Sequence, residues 1–386
     1  MIDQVEHIYL HWPFCKNRCH YCDFIALAKH EEFYVSYHQA LCKEIELVTK
    51  NFETKPKIKS IFVGGGTPSL YPVNLLGDLF KVLENRFDLG GSQEITLEAN
   101  PSDITKEKLQ AWKQIGINRL SLGIQVLDDK VLKNLNRQQT VNDALHAIEI
   151  APNYFKNISI DLILGLPEVT KQVWNQTLQQ ITLWPISHIS IYFLTIYEKT
   201  PLYFRVNKKE VQLPEENSLV DTYKHSVNFL KHNGFFQYEI SNFAKTGKES
   251  IHNQSYWNRK SYYGFGLGAS SFISRSQERF TNINNIENYI QSVLGDNKIP
   301  ISSRESLDSQ KIMLEMLMLG LRQAKGLDLH DVLYLLTDKQ KNQLYQNVEL
   351  LKGESLLQQN DDRISLPLNS IILENSIVLK LYEGLF

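Results

Sequence analysis

In the first half of the chain, short apolar runs alternate with longer stretches whose apolar positions recur every three or four residues. The short runs His7–Trp12, Ser60–Gly64, Glu94–Ala99, Arg119–Ile124, Ile158–Leu164 and His188–Leu194 read as strands. Between them Glu31–Lys50 places Phe33, Tyr37, Leu41, Ile45 and Val48 on one helical face. Leu75–Asn85, Lys106–Ile115, Val141–Ile150 and Val173–Leu183 follow as further helices. Strand and helix in alternation predict a parallel sheet with helices outside it. Six units are too few for the full eight-unit barrel, and several strands look buried on both faces. The expected architecture is therefore α/β, an open, partial (β/α)6 barrel, with its chemistry at the C-terminal ends of the strands.

Beyond the sixth strand the pattern changes. Glu215–Asn233 reads as a helix, and Phe235–Ala244 as a short strand and turn. His252-Asn253-Gln254-Ser255-Tyr256-Trp257 comes next, then a glycine-spaced apolar segment from Tyr262 to Phe272. Leu307–Gln323, Asp328–Leu336 and Asp338–Lys352 are helical in period; Leu356–Leu366 reads as a hairpin around Asp361-Asp362, and Ser370–Tyr382 as a last helix. Helices plus a hairpin suggest a smaller, winged-helix-like unit. The predicted division is a barrel over 1–234, a connecting region over 235–300 and a C-terminal unit over 301–386, with the boundary in the polar stretch Gly295–Glu305. There is no repeat at solenoid spacing and no low-complexity tract.

Three of the four cysteines, Cys15, Cys19 and Cys22, fall on one loop after the first strand, spaced C-x3-C-x2-C. Three thiolates are one short of the usual complement of an Fe–S cluster, which would leave one iron open. Zinc is the alternative, with His20 or His11 as fourth ligand, but common zinc spacings use two C-x2-C pairs or a Cys pair with a His pair. Cys42, mid-helix, reads as a buried thiol.

Polar residues recur at the predicted strand ends. Gly64-Gly65-Gly66-Thr67-Pro68 ends the second strand, and Glu98-Ala99-Asn100-Pro101 the third. Gln125, with Arg137 downstream, ends the fourth; Asp161 and Gly165-Leu166-Pro167 close the fifth. Singly, each reads as an ordinary turn or a solvated cap. Together they converge on one rim above the thiol loop. Glycine there lets backbone approach a ligand closely, Glu98 can accept from hydroxyls or an ammonium, and Arg137 can pair with a carboxylate in bidentate fashion. His252, Asn253, Tyr256 and Trp257 read either as a loop histidine beside packed aromatics or as a site for a flat aromatic ligand or porphyrin.

Composition removes other classes. Over 386 residues the hydrophobic fraction is 42% and the charged fraction 22%, as in ordinary globular proteins. A net charge of −2 gives no general attraction to nucleic acid. The C-terminal unit, with nine Lys/Arg against twelve Asp/Glu, is a poor phosphate-binding surface. Clustered cysteines suit a reducing compartment. Met1-Ile2-Asp3-Gln4 carries no leader pattern and no run approaches a membrane span, so a cytoplasmic address is expected.

Tyr9-Leu10-His11-Trp12-Pro13-Phe14-Cys15 with the cysteine loop resembles the radical SAM superfamily. Gly64–Ser69, Leu122–Gln125, Asn136-Arg137 and Asp161–Pro167 resemble, in order, its coproporphyrinogen dehydrogenase-like branch, and Glu315–Arg322 extends the likeness into the C-terminal unit. Within that branch the oxygen-independent coproporphyrinogen III dehydrogenases carry a further cysteine where this chain has Phe24, and a longer segment ahead of the cluster loop. Phe24 and the His-Asn-x-x-Tyr-Trp motif resemble the heme chaperone group instead. That resemblance implies a [4Fe–4S] cluster on Cys15, Cys19 and Cys22. It implies S-adenosylmethionine (SAM) near Tyr9, Tyr21, Gly65, Gly66, Thr67, Glu98, Gln125, Arg137 and Asp161. It also implies heme at His252, Asn253, Tyr256 and Trp257. The partners it implies are heme, a recipient hemoprotein of a respiratory chain with peripheral contact to membrane proteins, an electron donor for the cluster, and a second copy of the chain. The competing expectation is oxidative decarboxylation of coproporphyrinogen III; a third, nucleic-acid modification, is prompted only by the winged-helix-like tail.

Overall fold

The computed structural model describes residues 5–386; Met1–Gln4, on which the leader reading rests, lie outside the described residues. All six predicted strands form: β1 His7–Trp12, β2 Ser60–Gly65, β3 Glu94–Ala99, β4 Arg119–Gln125, β5 Asn157–Leu164 and β6 His188–Phe193. They pair in parallel and in chain order. The intervening helices are Tyr34–Thr49, Val73–Arg86, Lys106–Ile115, Val141–Ile150 and Lys171–Thr182, with a short extra helix, Asp129–Asn134, after β4. Thr105, Thr140 and Thr170 cap three of them by accepting a backbone N–H through their side chains.

The two faces of the sheet differ. Ile8, Leu10, Ile61, Val63, Leu97, Leu120, Leu122, Ile158, Ile160, Ile189 and Ile191 are buried in the core shared with the helices. The alternate positions form a polar lining: Ser60, Thr96, Ser121, Ser159 and Ser190 with His7, Glu94, Arg119 and His188, all buried. Hydrogen bonds run across this lining, from His7 Nδ1 to Ser60 Oγ (2.8 Å), Ser121 Oγ to Asp161 Oδ2 (2.9 Å) and Ser159 Oγ to His188 Nδ1 (2.7 Å). The strands are enclosed on both faces, as expected, but only the outer face is packed as apolar core.

The sheet does not stop at six strands. It has twelve, and the added strands are antiparallel or come from distant sequence. Tyr262–Phe265 joins β1 in parallel, followed by Ser270–Ile273, Glu278–Asn282 and Ile301–Ser306. Asn242–Ala244 and Phe236–Gln237 extend the other edge from β6. The region 235–300, expected to connect two domains, supplies strands at both edges of the barrel sheet. The polar stretch expected as a boundary runs into the edge strand Ile301–Ser306, whose residues after Ile301 are exposed. A polar, exposed edge strand has no apolar alternation to mark it. The chain leaves the sheet after Ser306.

The C-terminal unit has its own core, including Met313, Leu317, Leu344, Val348, Ile364 and Leu381. Helices Ser309–Leu321, Asp338–Gly353 and Glu374–Tyr382 pack beside a three-stranded sheet of Leu327–Asp328, Gln358–Asn360 and Arg363–Ser365. Helices with a small antiparallel sheet match the winged-helix-like expectation. The unit is tied to the barrel by Arg259–Glu315 (3.1 Å) and by Gln323 Nε2 donating to Trp257 O (3.2 Å).

Candidate functional site

One cavity of about 560 Å³ opens at the C-terminal ends of β1–β6. Cys15, Cys19 and Cys22 line it, and so do Tyr21, Gly65, Gly66, Thr67, Glu98, Gln125, Arg137 and Asp161. Of the residues expected near SAM, only Tyr9 does not line the cavity. Its ring stacks on Phe62 one layer deeper, and its hydroxyl meets His11 Nδ1 at 3.0 Å.

The thiol loop is held by backbone. Leu27 N donates to Pro13 O (2.6 Å) where Phe14–Cys15 pairs with Leu27–Ala28. His20 N donates to Leu135 O (3.0 Å), Leu202 N to His20 O (2.9 Å) and Asn136 Nδ2 to Arg18 O (2.9 Å). Thr67 Oγ1 donates to Cys15 Sγ at 3.2 Å. Burial pushes the Cys15 thiol up to about 11, with the Thr67 hydrogen bond opposing, and Cys22 is raised for the same main reason. Thiols so placed ionise when a metal takes the proton's place.

Of the two histidines named for a zinc site, His11 has both ring nitrogens engaged, and His20 does not line the cavity that the cysteines share. His11 Nε2 meets Ile25 O at 2.9 Å and its Nδ1 meets Tyr9; His20 Nδ1 meets Asn134 O at 3.0 Å.

The glycine turn is shaped by close approach. Gly65 has φ +121°, and a Cβ on Gly66 would lie 2.8 Å from Phe14 O. Gly65 N–H donates to Glu98 Oε2 at 3.1 Å, which fixes that carboxyl beneath the turn. Burial, then Asp161, raises Glu98 to about 8, while Gly65 N–H and Arg119 oppose. Asp161 is raised by burial against hydrogen bonds from Ser190 and Ser121. Gln125 is forced to φ +69° where the β4–β5 register slips, turning the strand end toward the cavity.

Arg137 lines the cavity with its guanidinium engaged by the protein. Its Nη2 donates to Asn100 Oδ1 (2.9 Å), Gly123 O (2.9 Å) and Gln139 Oε1 (2.7 Å). Its Nη1 reaches Tyr21 OH (3.1 Å) and Cys19 Sγ (3.6 Å). The fork expected to clasp a ligand carboxylate is already occupied by protein acceptors. Arg137 ties the thiol loop to the end of β4 and supplies positive charge beside Cys19.

The His252 group lies elsewhere in the fold. It forms helix Ile251–Trp257, which closes the opposite end of the barrel. Glu94 accepts from Ser250 Oγ (2.9 Å), Ile251 N (2.9 Å) and His252 N (3.1 Å), capping that helix. His252 is 1% exposed. Its Nδ1 meets Ser60 Oγ and its Nε2 meets Tyr256 OH, both at 2.8 Å, and its ring stacks on Phe62. Burial drives its pKa down to about 3. Both imidazole nitrogens are thus engaged within the protein, and His252, Asn253, Tyr256 and Trp257 do not line the cavity.

Cavity residues given no role from the sequence include Asn100, Ser121 and Gln139, and an aromatic wall of Tyr192, Phe193 and Tyr197. Asn100 was legible beside Glu98; the wall was hidden because Tyr192 and Phe193 read simply as strand. Cys42 sits half-buried beside His38, 3.7 Å from its Nε2, raised to about 12 by burial, as a structural thiol.

The donor set fits an Fe–S cluster with SAM: three thiols on one wall, a glycine turn stripped of side chains, and two carboxyls beneath it. This barrel and cavity belong to the radical SAM class, and the radical SAM superfamily model matches residues 9–181, with the HemN C-terminal domain model matching 307–373. The chain is 30% identical over 357 residues to the heme chaperone HemW of Lactococcus lactis, covering 92% of this chain and 89% of that one. With HemW of Bacillus subtilis it shares 34% over 324 residues, 82% and 83% of the two chains. The solved coproporphyrinogen III oxidase HemN of Escherichia coli superposes with a TM-score of 0.85 at 21% identity, covering 99% of this chain and 91% of that one, a likeness of fold. The chain belongs to the HemW family of radical SAM proteins. No helix among the described residues is long and apolar enough to cross a membrane.

Proposed function

We propose that this protein is a heme chaperone of the radical SAM type, which holds a [4Fe–4S] cluster and SAM in the cavity and delivers heme to hemoproteins. One observation carries the cofactor reading: three thiols, the Gly65-Gly66 backbone and the Glu98–Asp161 carboxyls meet on one cavity. Family membership supports the heme reading. When bound, a cluster with an open iron supplies an electron to SAM, chemistry that belongs to the cofactor.

The chain's own residues do the positioning. Cys15, Cys19 and Cys22 hold the cluster, and Arg137 steadies Cys19 and its loop. Gly65 and Gly66 admit the ligand's methionine end against bare backbone. Glu98, Gln125 and Asp161 accept from its polar groups, and Thr67 steadies Cys15. Phe24, where a dehydrogenase would carry a further cysteine, favours carriage over oxidative decarboxylation. A recipient in a respiratory chain, contact with its membrane proteins, an electron donor, a dimer and a cytoplasmic address complete the proposal.

The test is anaerobic reconstitution followed by heme titration in the Soret band, then an assay for 5′-deoxyadenosine and for protoporphyrinogen formed from coproporphyrinogen III. Heme binding without porphyrinogen turnover supports the chaperone. Turnover of coproporphyrinogen III overturns it.

A further inference from the structure

Most exposed large apolar side chains are scattered, but four share the cavity mouth. Tyr192 (43% exposed), Phe193 (36%) and Tyr197 (44%) form one wall at the end of β6; Phe24 (67%) stands on the thiol loop. Exposed aromatics gathered on a concave rim mark a binding surface rather than a core. Of the four, only Phe193 packs against another ring, Tyr223, tilted at 43° with centroids 5.1 Å apart. Arg18 also lines the mouth. Its Nε donates to Cys22 O (3.3 Å), and it has no carboxylate partner among the described residues, whereas Lys16 is paired with Asp103 at 2.7 Å.

Size decides what this mouth can take. A cavity of about 560 Å³ lies within the range of a single organic ligand, roughly 300–1,000 Å³. A cluster with SAM uses that space, so a macrocycle has to lie across the mouth. A flat π-system with anionic edge groups matches what the mouth offers: aromatic faces and one uncompensated guanidinium.

Resting on the reading that the chain carries heme, we propose that the tetrapyrrole lies at this mouth, its face on Tyr192, Phe193 and Tyr197 with Phe24 near, a propionate on Arg18. His252 takes no part, because its nitrogens are engaged at the far end of the barrel. Recognition is by ring face and carboxylate, so the metal-free ring should also bind.

The test titrates reconstituted holoprotein, loaded with cluster and SAM, with hemin. Phe24→Ala and the double variant Tyr192→Ala/Phe193→Ala should each weaken hemin at least tenfold with the cluster spectrum unchanged. Arg18→Gln should weaken it severalfold and flatten its salt dependence. Metal-free protoporphyrin IX should compete with hemin. Phe24→Ala keeps the test decisive if the double variant folds poorly, since Phe24 is two-thirds exposed. Unchanged affinity in Phe24→Ala and in the folded double variant overturns the inference. So does failure of protoporphyrin IX to compete, or loss of hemin in His252→Ala with the cluster spectrum and melting midpoint intact. If the wild-type protein binds no hemin at all, it is the chaperone reading that fails.

Discussion

The two ends of the barrel are made from the same strands and the same kinds of residue, yet they have opposite character. At the floor, hydrogen-bonding capacity is largely consumed within the protein. Glu94 receives three donors, and His7, Ser60, His252 and Tyr256 form a continuous chain. At the mouth, capacity is left over. Three thiols face a cavity, two carboxyls are held in the raised-pKa range, and a glycine turn leaves backbone exposed. Histidine, tyrosine and carboxylate alone therefore do not mark a site. What marks it is polar capacity that the fold leaves unpaired and open to a cavity.

The most drastic way to test this contrast is at the mouth. Cys19→Ser should abolish the Fe–S absorbance of the reconstituted protein, while leaving the fold intact by circular dichroism; full absorbance would remove Cys19 from the ligand set.

Next comes the floor. Glu94→Ala leaves three donors unpaired in a buried position and should cost about 4 kcal/mol, read as a lower denaturant midpoint at unchanged slope. A loss below about 1 kcal/mol would show that the floor helix is not held by this carboxylate.

A smaller effect concerns pH. Glu98 is neutral below about 8 and charged above it, so attraction for a cationic ligand is gained as pH rises. SAM affinity should increase about tenfold between pH 7 and pH 9. The midpoint belongs jointly to Glu98 and Asp161, with Arg119 and Gly65 N–H favouring the charged forms and Tyr9 nearby. Glu98→Gln should flatten the profile; an identical profile in that variant would move the titration elsewhere.

The smallest effect is Tyr256→Phe, which removes one buried hydrogen bond from His252 and should cost about 1 kcal/mol. SAM binding should not change. A shift in SAM affinity would mean that floor and mouth are coupled through the polar lining.

The legibility of the two ends follows this contrast. The mouth was readable because its residues sit at the ends of strands whose period is local. Cys15 to Cys22 lie within one loop, and Glu98, Gln125 and Asp161 each close an apolar run. The floor was not, because Ser250–Trp257 meets Glu94 and Ser60 across more than 150 residues of chain. A polar-aromatic motif reads the same whether it faces a ligand or fills a barrel end. The protein partners of Arg137, namely Asn100, Gly123 and Gln139, could not be read from the sequence, since they reach it only through the fold.

By itself the sequence determined the six parallel units, the thiol loop and the rim on which the polar strand ends gather, because side-chain period and loop spacing are properties of neighbouring residues. Only the tertiary structure decided that 235–306 completes the barrel sheet at both edges, and that His252 is spent as a floor. It also decided that Tyr192, Phe193, Tyr197 and Phe24 meet at one mouth. Those outcomes depend on which distant groups satisfy one another's hydrogen bonds and which are left facing open space.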